Sequence, residues 1–158
     1  MRAGPGPLLV IGVGNRDRGD DAVGPLVCDL LADAGHPGVE TLVFDGSVVD
    51  LPIHWEPQDR VVIVDAAAPA GHPGRIDRVD ALAHRLVAPA TVSAHSVDVG
   101  AAIELARAMD RLPAELTIVG IEGASFEFGD DLGPEVSRAA RDVADGISRL
   151  AGRRAAAR

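Results

Sequence analysis

Residues 8–13, Leu-Leu-Val-Ile-Gly-Val, form an apolar run that stops at Gly14-Asn15 and leads through Arg16-Asp17-Arg18-Gly19 to two adjacent carboxylates, Asp20 and Asp21, ahead of Val23 and Gly24. A short apolar run ended by glycines and followed by helical periodicity reads as a buried strand feeding a helix, and so as an α/β fold. In open parallel sheets the ligand crevice lies beyond the carboxyl ends of the strands. Groups on this first strand-to-helix loop are therefore functional candidates before any other segment is read.

Three more β-type runs follow, at 39–44, 60–65 and 116–121, separated by segments of helical periodicity, and 75–79 suits an edge strand. The alternation predicts a single-domain, three-layer α/β/α sandwich with a mostly parallel sheet of about five strands. Val23, Leu26, Val27, Leu30 and Leu31 recur at helical spacing, and the glycines Gly35 and Gly38 end that helix. Pro25 is comfortable only in a first turn, so the helix starts near Gly24 or else Asp21 and Ala22 form a distorted opening turn. Ser96 has the position of an N-cap before Val99, Ala102, Ile103, Ala106 and Met109, which leaves His95 just outside a helix closed by Pro113. Residues 122–131 read as a loop, and Pro134 opens a last helix through Leu150. The whole chain, 1–158, is expected to form one domain, with 1–6 and 152–158 frayed and no internal repeat or linker.

Composition narrows the function. A chain of 158 residues that is 47% hydrophobic and 25% charged can bury one core. Its apolar runs fall well short of the ~20 residues of a membrane span, and the first residues lack a secretory apolar region, so a cytoplasmic protein is expected. One cysteine, Cys28, excludes an intrachain disulfide and a cysteine-rich zinc site. The net charge of −9 argues against nucleic acid or an anionic membrane as partner. Arg149, Arg153, Arg154 and Arg158 cluster near the terminus and read as cations at a helix end.

Several chemistries fail on detail. The dinucleotide fingerprint breaks at Asp17, and a mononucleotide loop needs a lysine, which this chain lacks entirely. There is no Gly-x-Ser-x-Gly elbow, Cys28 falls on the apolar face of the first helix, and Ser93 and Ser96 flank His95 too closely to form a triad with it. His36 and His72 adjoin turns, and His84 lies on an expected helix.

Asp21, Asp65 and His95 remain, each at the end of a different element. Two carboxylates and an imidazole suit a borderline divalent ion with coordination positions left over. Taken singly, each also has an ordinary role: Asp21 facing a helix dipole, Asp65 capping a turn, His95 in a loop. Spacing alone favours the ordinary roles.

Gly12-x-Gly14-Asn15 with Gly19-Asp20-Asp21-x-x-Gly24, then Val39-Glu40-Thr41-Leu42 leading to Asp45-Gly46, the strand Val61-Val62-Ile63-Val64-Asp65-Ala66, Ser93-Ala94-His95-Ser96 and Val119-Gly120-Ile121-Glu122 resemble the hydrogenase maturation proteases. That resemblance implies an endopeptidase that removes the C-terminal extension of a nickel-loaded nickel-iron hydrogenase large-subunit precursor. It also implies that Asp21, Asp65 and His95 are the metal-binding and catalytic positions. The nickel would come with the precursor, and zinc or cadmium would be able to take the site in vitro. Asp45, Gly46, Ser47 and His54 are the implied substrate-recognition residues, the precursor is the implied partner, and a monomer is expected. The alternative is a metal-dependent checkpoint protein that binds the precursor without cutting it.

Departures from the commoner family pattern bear on the substrate rather than the fold. They are Ser47 where glycine is frequent, Gly123 in place of proline, Gly133 in place of serine, and Asp21 where glutamate is also common.

Overall fold

The computed structural model describes residues 6–84 and 94–157, with the backbone alone at Val48 and at 94–98. Five strands, β1 (Leu8–Val13), β2 (Val39–Phe44), β3 (Arg60–Ala67), β4 (Ile76–Asp80) and β5 (Glu115–Glu122), form one sheet in the order β2-β1-β3-β5-β4. All neighbours are parallel except β4, which runs antiparallel to β5. The sheet is the expected one, with β3 and β5 slightly longer at their carboxyl ends.

Side-chain alternation divides the core into two layers. Leu8, Val10, Val62, Val64 and Ala66 pack with α1 (Val23–Ala34) and α3 (Pro134–Ala156), while Leu9, Ile11, Val13, Val61 and Ile63 pack with α2 (Ala94–Ala108) and with Leu51 and Trp55. Both faces of the sheet are thus covered, which is why β1 and β3 read as continuous apolar runs. Trp55 fastens the second layer, its Nε1 donating to the Arg111 carbonyl at 2.9 Å.

One close approach fixes the first helix. A Cβ built on Gly12 would lie 2.3 Å from the Gly24 carbonyl oxygen, and one on Gly24 would lie 2.6 Å from the carbonyl oxygens of both Val13 and Val64. Backbone contact at these two glycines seats the start of α1 directly on β1 and β3. The expected distorted opening turn exists as a 3-10 turn, Gly19–Ala22, leaving Pro25 in the first turn of α1, where its missing N–H costs nothing. The helix closes at Gly35, which adopts the left-handed conformation.

The structure differs from or adds to the sequence reading in four places. The helix α2 begins at Ala94, so His95 lies in its first turn and Ser96 inside it; alanine and valine neighbours carry the helix past the serine that sequence favours as a cap. His84 sits in a turn, where the Asp80 carboxylate accepts the amides of Leu82 and Ala83 at 2.9 and 3.2 Å and competes with helix formation. Residues Val48–His54 form a 3-10 segment around Pro52 that periodicity did not reveal. The last helix runs to Ala156, beyond the expected Leu150. Ser93, Arg158 and the fraying expected for 1–5 lie outside the described residues.

Candidate active site

The connection after β1 leads to one face of the sheet, whereas the chain after β3 passes through the edge strand to α2 on the other. The carboxyl edge between β1 and β3 is thus a topological switch point. Asp21 is placed there by the 3-10 turn, which packs against β3, and it is 2% exposed. Its Oδ2 accepts the Asn15 amide at 2.9 Å. Gly14 covers it: at φ 142°, a backbone region that disfavours L side chains, a Cβ on Gly14 would lie 2.0 Å from the Asp21 carbonyl oxygen and 3.4 Å from Oδ1.

Asp65 is as buried as Asp21 and pairs with Gly120 of β5. By alternation it shares with Val61 and Ile63 the face that α2 covers. The far end of α2 is tied to the opposite edge of the sheet, because the Arg107 guanidinium donates to the Ala81 carbonyl and the Ala81 amide bonds to Leu116 at the start of β5 at 2.9 Å. From Arg107 back to His95 the helix rises about 18 Å, close to the length of the strand beside it. The backbone of His95 therefore stands at the carboxyl edge with Asp21 and Asp65. Among the described residues no three His, Cys, Asp or Glu side chains form a metal-sized group, and the His95 side chain is not one of those residues.

Asp20, next to Asp21 and equally buried, has a different task. Its Oδ2 accepts the amides of Ala124 and Ser125 at 2.7 and 3.1 Å, its Oδ1 accepts Gly133 at 2.8 Å, and its own amide donates to the Ser125 carbonyl at 2.9 Å. It ties loop 123–133 to the first loop. The departures at Gly123 and Gly133 belong to this tie: a Cβ on Gly123 would lie 2.7 Å from the Phe126 ring and 3.0 Å from the Asp20 Cβ, and Gly133 supplies the third amide.

Glu122 does similar work on the other side. Its Oε1 accepts the amides of Ala70 and His72, both at 2.6 Å, and these bonds, His72 first, hold its carboxyl below the ordinary range. The loop beyond β3 is thereby fastened to the end of β5. Cys28 is inert, since burial pushes its thiol up to about 11 and Sγ lies 3.5 Å from the Leu42 carbonyl oxygen, as its apolar reading implied.

Beside Gly14, a cleft of about 110 Å³ opens between the ends of β1 and β2 and loop 123–133, lined by Val13, Gly14, Asn15, Arg18, Phe44, Asp45, Gly46 and Phe128. Of the four residues expected to recognise substrate, Asp45 and Gly46 line it. His54 stands one ring away, edge-on to Phe44 at 5.3 Å, and Ser47 accepts the Asp50 amide at the start of the 3-10 segment without lining the cleft. Sequence reasoning missed Arg18, Phe44 and Phe128. Phe128 is 70% exposed although the chain has only three phenylalanines, and a large apolar side chain in a glycine-rich loop was the signal available.

A profile of the HycI hydrogenase maturation protease family matches residues 37–149. No curated protein sequence matches the chain. Among solved structures, the nickel-iron hydrogenase maturation protease HybD from Thermococcus kodakarensis is 25% identical and superposes with a TM-score of 0.71 over 92% of this chain and 99% of its own. The hydrogenase 2 maturation peptidase of a Thaumarchaeota archaeon is 27% identical, with a TM-score of 0.64 over 92% and 98% of the two chains. The hydrogenase maturating endopeptidase HybD from E. coli shares the fold at 23% identity, with a TM-score of 0.72 over 89% of each chain. With the profile spanning most of the sequence and the carboxylate-bearing loops built as described, the chain belongs to the hydrogenase maturation protease family.

Proposed function

We propose that this protein is the endopeptidase that removes the C-terminal extension of a nickel-loaded nickel-iron hydrogenase large-subunit precursor, acting in the cytoplasm as a monomer. The observation that supports the reading is the pair of buried carboxylates, Asp21 and Asp65, at the switch point of a chain of this family, with the backbone of His95 in the first turn of α2. Two hard oxygen donors and one imidazole fit nickel or zinc and make an incomplete set, which precursor thiolates would complete. The metal ion supplies Lewis acidity toward a peptide carbonyl or a water when it is bound there. The chain's own part is to offer the side chains of Asp21, Asp65 and His95 as donors and to hold the precursor tail against the edge.

The test incubates purified, chelator-stripped protein with nickel-loaded and nickel-free precursor and follows intact mass. Loss of the extension from the nickel-loaded form alone is expected. Equal cutting of both overturns nickel-dependent recognition, and binding without loss of mass favours the checkpoint alternative. Asp65→Asn and His95→Ala should abolish processing with stability changes below about 2 kcal/mol, the size that would mark a structural residue.

A further inference from the structure

We propose that Gly120 seats the substrate: with no side chain there, room is left beside Asp65 for the extended main chain of the precursor tail. The proposal rests on the endopeptidase reading for the identity of the occupant, whereas the room itself stands on the geometry of the sheet. Among the described residues two glycines lie inside strands, Gly12 in β1 and Gly120 in β5. Gly12 is required from within, because a Cβ there would strike the Gly24 carbonyl group. Gly120 is not explained this way. A Cβ built on it would meet, among the described residues, the Ala67 Cβ at 3.8 Å, an ordinary contact. Glycine weakens a strand interior, and where packing does not demand it, it marks the close approach of a ligand or of another backbone. β5 is moreover an interior strand, paired with β3 on one side and with β4 on the other.

Register ties the room to Asp65. Gly120 is the partner of Asp65 on β3 and of Asp77 on β4, so the three residues form one row across the sheet, with neighbouring Cα atoms about 5 Å apart. Leu116 and Ile118 belong to the core layer that holds Val61 and Ile63, so by alternation a side chain at 120 would stand on the face that carries Asp65. Gly120 is partly exposed although Val119, Ile121 and Glu122 around it are buried. A peptide main chain suits such a place. It is thin enough to lie on a strand glycine, and its N–H groups find carboxylate acceptors in the same row: Asp65 on one side, and on the other Asp77, which accepts from Arg75 at 3.2 Å and is still 60% exposed.

The experiment compares the full chain with its Gly120→Ala and Gly120→Val variants, using the nickel-loaded precursor as probe. Initial rates of cutting, followed by intact mass, give KM and kcat, and biolayer interferometry with immobilised protein gives Kd whether or not cutting follows. The methyl group of alanine should raise KM and Kd severalfold, and valine should raise both at least tenfold. Tm should stay at or above that of the parent, because a side chain suits a strand and restricts the unfolded chain more than glycine does. A Gly120→Val protein with parental KM and Kd defeats the seat and leaves the endopeptidase standing. One whose Tm falls by more than about 4 °C shows that the fold itself needs the glycine, and so overturns the proposal. One that binds as the parent does but cuts slowly assigns the room to the reacting atoms, and overturns it as well. A parent that binds the precursor without cutting it sinks the endopeptidase reading, and graded loss of that binding through alanine and valine then leaves the seat. A parent that neither binds nor cuts overturns both.

Discussion

The carboxyl edge of the sheet has an inner floor and an outer rim built on opposite principles. The floor, where residues 12–24 meet the ends of β3 and β5, is backbone against backbone, with glycines where a methyl group would collide and with Asp20, Asp21, Asp65 and Glu122 each 2% exposed. The rim, formed by loops 45–54 and 126–131, leaves Val49, Ile53 and Phe128 at 56, 68 and 70% exposure. Buried charge is expensive and is kept only where amides or a ligand compensate it, so the floor admits few changes. Apart from Leu51, which is buried in the second core layer, the rim is mostly exposed and contributes little to folding. In the function proposed above, the chemistry belongs to the floor and the choice of substrate to the rim.

The strongest way to break that contrast is to add one side chain to each region. Gly24→Val forces a side chain against the Val13 and Val64 carbonyls and should cost about 3 kcal/mol or more, measured as a lowered urea midpoint. Gly46→Ala meets only ordinary contact and should stay within about 0.5 kcal/mol of the parent. Comparable losses at the two sites would show that rim and floor fold as one unit.

Next in size is the tie between them. Asp20→Ala strips the acceptor from three amides at once, and a loss of about 2–3 kcal/mol is expected, with faster amide exchange at Ala124, Ser125 and Gly133. Unchanged exchange there would mean that loop 123–133 is seated by its apolar contacts alone.

These sites also mark where the sequence was readable. The strands, the opening turn and the close of α1 followed from apolar runs and from Gly35 and Pro25, because backbone constraints of this kind are local, whereas the strand order was not read from the sequence. The division of labour between Asp20 and Asp21 was not legible: the partners of Asp20 are more than a hundred residues away, and nothing in the adjacent pair distinguishes the one that faces them. The family resemblance pointed to Asp21, Asp65 and His95, whereas spacing alone left each with an ordinary structural role. The contact of Arg18 with Phe128 is likewise one between distant loops, and the start of α2 was displaced because a good capping residue, Ser96, fell inside a helix begun by Ala94.

Acid should reach the floor through Glu122. Its folded-state carboxyl is held below the ordinary value of 4.5, so its stabilisation is fully present above that value and declines as pH falls through the lower folded-state value. Glu122→Gln should therefore be less stable than the parent at neutral pH, and the two should converge as pH is lowered below 4.5. A difference that stays constant with pH would assign the effect to packing of the 68–74 loop rather than to the charge.

The smallest effect belongs to the outer face of the first loop, where Arg16 donates to both carboxylate oxygens of Asp29 on α1, at 2.6 and 2.9 Å. The geometry is bidentate and the guanidinium holds the Asp29 carboxyl below its ordinary value, which taken alone suggests a strong contact. Exposure decides otherwise: the two side chains are 51% and 48% exposed, so water and salt screen the attraction and two long side chains must be ordered to make it. Asp29→Asn should change stability by no more than about 0.5 kcal/mol at physiological ionic strength, and the difference should shrink further in added salt. Because the folded-state carboxyl is depressed, whatever stabilisation exists is present above the ordinary carboxylate range and fades as pH falls. A loss of 2 kcal/mol or so, insensitive to salt, would show that this exposed pair behaves like the buried contacts of the floor.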